Sequence, residues 1–191
     1  MSIRKKAVSH KWISVSVLFV LGTSAAVCQL NSNTASVALK ATLGESLTVA
    51  ATPSSVAIPL VSGGTATGTS PVAITTTWIL STGRSTVTLV GYFASATAAL
   101  TDGATTPDNI PASEVLGQVT TGAPTTFTAF TQTAPLGPAG AGLTLFTQGL
   151  SAANRTANRT DNLNLEINLA GQPQLPAGVY TGTLNIQAQA L

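Results

Sequence analysis

Residues 176–191, PAGVYTGTLNIQAQAL, leave the chain the least freedom in how it can fold. From Tyr180 onward, Tyr180, Gly182, Leu184, Ile186, Ala188 and Ala190 alternate with Thr181, Thr183, Asn185, Gln187 and Gln189. Successive side chains of a strand point to opposite faces, so this period of two gives one apolar and one polar face, the pattern of a half-buried β-strand. A helix would scatter the same apolar residues around its circumference. Upstream, Leu163, Leu165, Ile167 and Leu169 alternate in the same way with Asn162, Asn164, Glu166 and Asn168. Two such runs joined by a Pro/Gly-bearing stretch read as an antiparallel pair.

The N-terminus reads as an address label. Arg4, Lys5, Lys6 and Lys11 form a basic region, residues 13–21 a short apolar run, and residues 24–28 offer small residues where a signal peptidase reads them. Residues 1–28 are therefore assigned as a secretory signal peptide, too short to span a bilayer as a stable helix, and residues 29–191 as a single β-sandwich domain with an N-terminal strand or arm. The mature chain then carries no integral membrane segment. A lipid anchor on Cys28 wants a small residue before it, and Val27 stands there, so an unlipidated terminus near Val27 or Gln29 is expected.

Cleavage changes the charge argument. The whole chain has a formal net charge of +2, but the leader takes away half of the cations. Lys40, Arg84, Arg155 and Arg159 remain against Glu45, Asp102, Asp108, Glu114, Asp161 and Glu166, four cations to six anions and a net −2. A basic nucleic-acid surface is thus not expected. His10 and Cys28, the only His and the only Cys, leave with the leader. Without a disulfide, an exported chain must rely on core packing and ladder hydrogen bonds. Its Thr, Ser, Asn, Gln and Gly content with few charges suits extracellular β-proteins and fibres better than intracellular enzymes.

The rest of the chain is consistent with this class. Ala35, Val37, Leu39, Ala41 and Leu43 share one parity, and Leu47, Val49 and Ala51 resume it after Gly44. This segment is either an ordinary first strand or an arm that adds a strand to a neighbouring subunit, with Val37, Leu39, Ala41 and Leu43 as its assembly residues. Residues 55–61 read as a short edge strand containing Pro59. The Gly63/Gly68 spacing lacks the Lys and the helix a phosphate loop needs, so it reads as a flexible loop. Residues 72–80 and 87–93 read as a strand and its return across a Ser81–Arg84 turn; Val90 and Tyr92 make the second apolar on both sides, as in a central strand. Trp78 reads as a core anchor. Short strands follow near Val115 and Leu143, and residues 151–160, SAANRTANRT, read as an ordered loop. Many short strands with no amphipathic helix predict an all-β, Ig-like antiparallel β-sandwich.

Catalysis is not expected. Triads and thiol sites need a base that the mature chain lacks, and His/Cys zinc sites fail for the same reason. The five carboxylates Asp102, Asp108, Glu114, Asp161 and Glu166 sit beside turns or on polar strand faces and read as solvated. No calcium-loop motif appears. Neither a metal nor a cofactor is implied. The tandem NRT reads first as Arg155 and Arg159 held with Asp161 in local ion pairs or loop hydrogen bonds; the alternative makes Asn154, Arg155, Asn158 and Arg159 a candidate ligand loop.

The segment LPAGVYTGTL, residues 175–184, followed by the alternating end of the chain, resembles the final strand of bacterial fimbrial-type subunits, the spore-coat-U-like and archaic chaperone–usher pilins. The resemblance implies an incomplete Ig-like sandwich completed by a neighbour's strand. Two function classes follow. The first is an exported, non-catalytic structural or adhesive protein of a bacterial periplasm or cell surface, partnered by its own copies or by other surface proteins. The second is a secreted module that binds carbohydrate or cell-wall glycan through Trp78, Tyr92 or loop Asn residues. A buried Trp78 favours the first.

Overall fold

The computed structural model describes residues 30–172 and 174–191. The signal peptide assigned to residues 1–28, with Cys28, lies outside the described residues. The chain divides into two units, Met1–Ala41 and Thr42–Leu191. The described part of the first, residues 30–41, has no regular structure and is exposed throughout.

The second unit is an all-β sandwich. Its strands in chain order are β1 (Ser46–Thr52), β2 (Thr65–Thr67), β3 (Val72–Ile79), β4 (Thr86–Tyr92), β5 (Leu100–Thr101), β6 (Asn109–Ile110), β7 (Val115–Val119), β8 (Thr128–Ala129), β9 (Gly142–Gly149), β10 (Thr156–Asn168) and β11 (Asn185–Ala190). One sheet runs β1-β3-β10-β7-β8, with β2 pairing β10 beyond the end of β3. The second runs β11-β4-β9, and β5 and β6 form a small separate hairpin. Every described pairing of these strands is antiparallel.

The alternation of β3 explains its place. Val72, Ile74, Thr76 and Trp78 are buried, while Ala73, Thr75, Thr77 and Ile79 face outward. Ile74, Val119 and Leu163 of one sheet and Val87, Leu89, Leu143 and Leu145 of the other are fully buried between the two layers. Each such side chain contributes about 1.5–3 kcal/mol of transfer free energy. Phe130 fills the centre, its ring edge-on to Phe93 at 5.2 Å between centroids. The layers approach closely at Gly117, where a Cβ would lie 2.9 Å from Leu143 Cδ2 and 3.1 Å from Phe130 Cε2, so no larger residue fits without repacking. β4 is the central strand of its sheet, as its two apolar faces suggest, and Val90 on its outer side is fully buried.

Four expectations are corrected. The runs 162–169 and 180–190 do not pair with each other: β10 belongs to one sheet and β11 to the other. Their connection is far longer than the two to five residues that close a hairpin, and it crosses between layers. The segments flanking Ser81–Arg84 are likewise split, β3 in one sheet and β4 in the other. Residues 55–61 form no strand, although Val56, Ile58 and Leu60 pack against the core as half-buried side chains. Finally, SAANRTANRT is a loop only at its start, because β10 begins at Thr156. At the N-terminal side, residues 35–43 carry no strand, and the first one begins at Ser46.

Candidate functional site

Residues 35–43 keep their alternation without forming a strand. Leu30, Val37, Leu39 and Leu43 are 97, 82, 92 and 80% exposed, and Ala41 is exposed as well. An exposed alternating segment of this kind, with Lys40 as its one charge, is an open template for strand addition.

A receptive surface exists within the second unit. Among the described residues β1 pairs only with β3 and β11 only with β4, so each presents an unpaired edge, and the two approach each other across the sandwich. Between them lies an apolar cleft. One cavity of about 310 Å³ is lined by Ala51, Val56, Ile58, Val115, Leu184 and Ile186, among others. A second of about 430 Å³ continues it past Leu60, Val179 and Tyr180, sharing Val56, Ile58, Leu100 and Ile167 with the first. The crossing segment 175–184 is laddered into neither sheet of the sandwich, and its one bridge, Thr181 to Thr101, goes to the β5–β6 hairpin, which leaves the cleft open beside it. Leu184 and Ile186 are therefore only half-buried. Tyr180 closes one end, its hydroxyl donating to the Pro176 carbonyl at 2.9 Å. Partial desolvation, aided by the Asp108 and Asp102 carboxylates, raises its pKa above the ordinary phenol value.

The start of β1 is fastened by charge. Glu45, just before β1, accepts from the Ser81 backbone N–H at 2.7 Å and from Arg84 Nη2 at 3.2 Å. The Arg84 guanidinium, with the Ser81 donor, lowers the Glu45 pKa from 4.5 to about 2. Arg84 Nη1 also reaches the Ala190 carbonyl at 3.4 Å, and Ser85 Oγ donates to the Leu191 carbonyl at 3.2 Å. The 81–85 turn thus ties the start of β1 to the end of β11.

The tandem NRT is distributed over several environments. The Asn154 side chain donates to the Gly149 carbonyl at 2.9 Å and accepts from the Ser151 N–H at 2.7 Å, while its backbone carbonyl accepts from Trp78 Nε1 at 2.8 Å. Arg155 Nη1 donates to the carbonyls of Ser81 and Arg84. Asn158 stands exposed on the outer face of β10. Arg159 lies on the inner side, bidentate to Asp161 at 2.6 and 2.7 Å, with its guanidinium 4.7 Å from the centre of the Phe146 ring. Asp161 also accepts from Thr121 Oγ1 at 2.7 Å and is 1% exposed. That corrects its assignment to a solvated face. The parity of Leu163 and Leu165, extended upstream, places Asp161, Arg159 and Ala157 inward, a signal present in the sequence.

Trp78 is 2% exposed and offers no platform to a ligand. Thr76 is fully buried and its hydroxyl has no hydrogen-bond partner among the described residues, a desolvation cost inside the core. Among the described residues no group of three or more His, Cys, Asp or Glu side chains converges, and no helix is long and apolar enough to cross a membrane. No family model, curated protein or solved structure shows significant similarity to the chain.

Proposed function

We propose that the chain is an exported, non-catalytic structural or adhesive protein of a bacterial cell surface, a fimbrial-like subunit on an Ig-like sandwich. One observation carries this reading: a single chain holds both an exposed alternating arm, residues 35–43, and an apolar cleft flanked by edges of β1 and β11 that are unpaired among the described residues. The arm of one copy enters the cleft of the next. Backbone ladder bonds supply affinity, and Val37, Leu39, Ala41 and Leu43 set the register. Burial in a neighbour also removes the aggregation hazard of an exposed apolar arm. The low charge of the chain suits a fibre, where subunits pack closely.

The rival, a glycan-binding module, loses support because its principal aromatic is in the core. Tyr92 is half-buried, with its hydroxyl donating to Gln187 at 3.1 Å. Deleting residues 29–43 tests the proposal. The full chain should form concentration-dependent oligomers by size exclusion and fibres by electron microscopy. The deleted chain should remain a folded monomer. A full-length chain that stays monomeric at high concentration overturns the assembly reading.

A further inference from the structure

The outer face of the six-stranded sheet carries a second pattern, independent of the arm. Across β1, β3 and β10 the register aligns Thr48–Thr77–Asn158 in one rank and Ala50–Thr75–Thr160 in the next. Flanking ranks add Thr52 and Thr156. Both pairings run without a shift over this zone, whereas β4 and β9 of the other sheet slip at Leu89/Val90. None of the chain's charged residues lies in these ranks; Glu166, on the same parity of β10, sits at its far end opposite Leu116. A solvated face ordinarily mixes Lys, Arg, Asp and Glu for solubility.

Thr gives such a face special order. Its branched Cβ stiffens χ1, so methyl and hydroxyl are held in place. Thr75 and Thr160 also pair their hydroxyls at 2.9 Å, and Thr48 Oγ1 donates to the Thr77 carbonyl at 3.5 Å. The groups then repeat about every 4.8 Å across strands and about every 6.8 Å along them. Sheet twist accumulates with each added strand, and three strands keep the drift small. A ligand answering this face must be uncharged, extended, and periodic in two dimensions, with hydrogen-bonding sites between hollows that take a methyl group. Crystalline water has all these properties, and rows of oxygen on the prism faces of ice repeat at similar intervals. A second copy stacked on the face would bury hydroxyl and amide groups without partners, at a cost. A crystalline polysaccharide would want aromatic plates, and the ranks contain none.

We propose that this Thr-rich face binds ice. It would give the adhesive reading a solid target, yet it does not depend on arm-mediated assembly, so a monomer that binds ice and a fibre that ignores it are separately readable outcomes. The test is partition of the exported full chain into slowly grown ice, alongside the Thr77→Lys/Thr160→Lys double variant and Gln187→Lys on the other sheet. The native chain and Gln187→Lys should be enriched in ice several-fold over the residual liquid. The double variant should be excluded like an ordinary solute, with an unchanged thermal melt. If the double variant does not fold, Asn158→Lys, at an exposed position of the same rank, carries the same expectation. Exclusion of the native chain from ice, equal enrichment of folded Lys variants, or retention on microcrystalline cellulose or chitin with no enrichment in ice overturns the proposal.

Discussion

Residues 35–43 set Ala35, Val37, Leu39, Ala41 and Leu43 on one parity, and residues 180–190 set Tyr180, Leu184, Ile186, Ala188 and Ala190 on one parity. The fold treats the two segments oppositely. In the second, Leu184, Ile186, Ala188 and Ala190 pack against the core, and β11 ladders along β4 from Asn185 to Ala190. In the first, Val37 and Leu39 stand 82 and 92% exposed with no strand. Alternation thus records that a segment wants a sheet on one side. It does not say whether the chain itself provides one. The difference separates a strand laddered into its own domain from a segment of the same pattern that is exposed and forms no strand.

The largest test of that difference is deletion. Removing residues 185–191 takes away one of the three strands of the smaller sheet and uncovers the β4 backbone beside it. Orphaned ladder groups and lost burial should together abolish the cooperative thermal transition, since a domain's net stability is only about 5–15 kcal/mol. Removing residues 29–43 should leave the transition in place. Circular dichroism melts of the two truncations check this, and a cooperative melt from the chain lacking β11 would erase the distinction.

Point substitutions grade it more finely. Leu184→Ala and Ile186→Ala should each cost about 2 kcal/mol, the low end of the range for large-to-small changes, because both side chains are only half-buried beside the cleft. Gln187→Ala, at an exposed position of the same strand, should stay within about 0.5 kcal/mol. Urea titrations of the three variants give the comparison directly. Equal losses at Ile186 and Gln187 would mean that β11 is covered on both faces.

Strand identity and facing were legible for much of the sandwich: β3, β4, β7, β9, β11 and the second half of β10 fall on segments read as strands, and Trp78 is the core anchor its size suggests, whereas Val56, Ile58 and Leu60 share one parity in a segment that forms no strand. Pairing was not legible. β3 and β4 flank a tight turn yet lie in different layers, because a one-faced strand is satisfied equally by a neighbour beside it or a sheet opposite it. The Arg159–Asp161 ion pair was legible in the tandem NRT, but its inward placement was not: opposite charges two apart on a core-facing parity neutralise each other, and composition alone assigns them to the surface. The cleft was hidden for another reason. It depends on residues 53–58 and 182–186 meeting in space, and neither segment signals the other. The Thr ranks likewise arise only from register across β1, β3 and β10.

A smaller effect lies at the joint between the two regions. Glu45 stands where the arm gives way to β1, and Arg84 and Ser81 lower its pKa from 4.5 to about 2. Because the folded-state value is depressed, the ionised form stabilises the fold above the ordinary carboxylate pKa, and that contribution fades as pH falls from about 4.5 towards 2. The group is exposed, so salt should screen it. Melts from pH 6 to pH 2.5 should show a shallow acid-side loss in the native chain that is reduced in Glu45→Gln, most visibly at low salt. An identical acid slope in both chains would remove the pair as a fastener.

The smallest expected change in stability belongs to Leu39→Ser. With Leu39 92% exposed, its replacement should leave the unfolding free energy unchanged to within about 0.5 kcal/mol. Its effect on assembly should be large. In a receiving cleft the same side chain would be desolvated, and a buried Leu is worth about 1.5–3 kcal/mol, enough to weaken each subunit contact roughly ten- to hundredfold. Ala38→Ser, one position away on the opposite parity, should assemble like the native chain, because period-two packing leaves that position facing out. Size exclusion over a concentration series reads both. If Ala38→Ser and Leu39→Ser assemble alike, parity is not being read by any partner, and the alternation of the arm is not a recognition pattern.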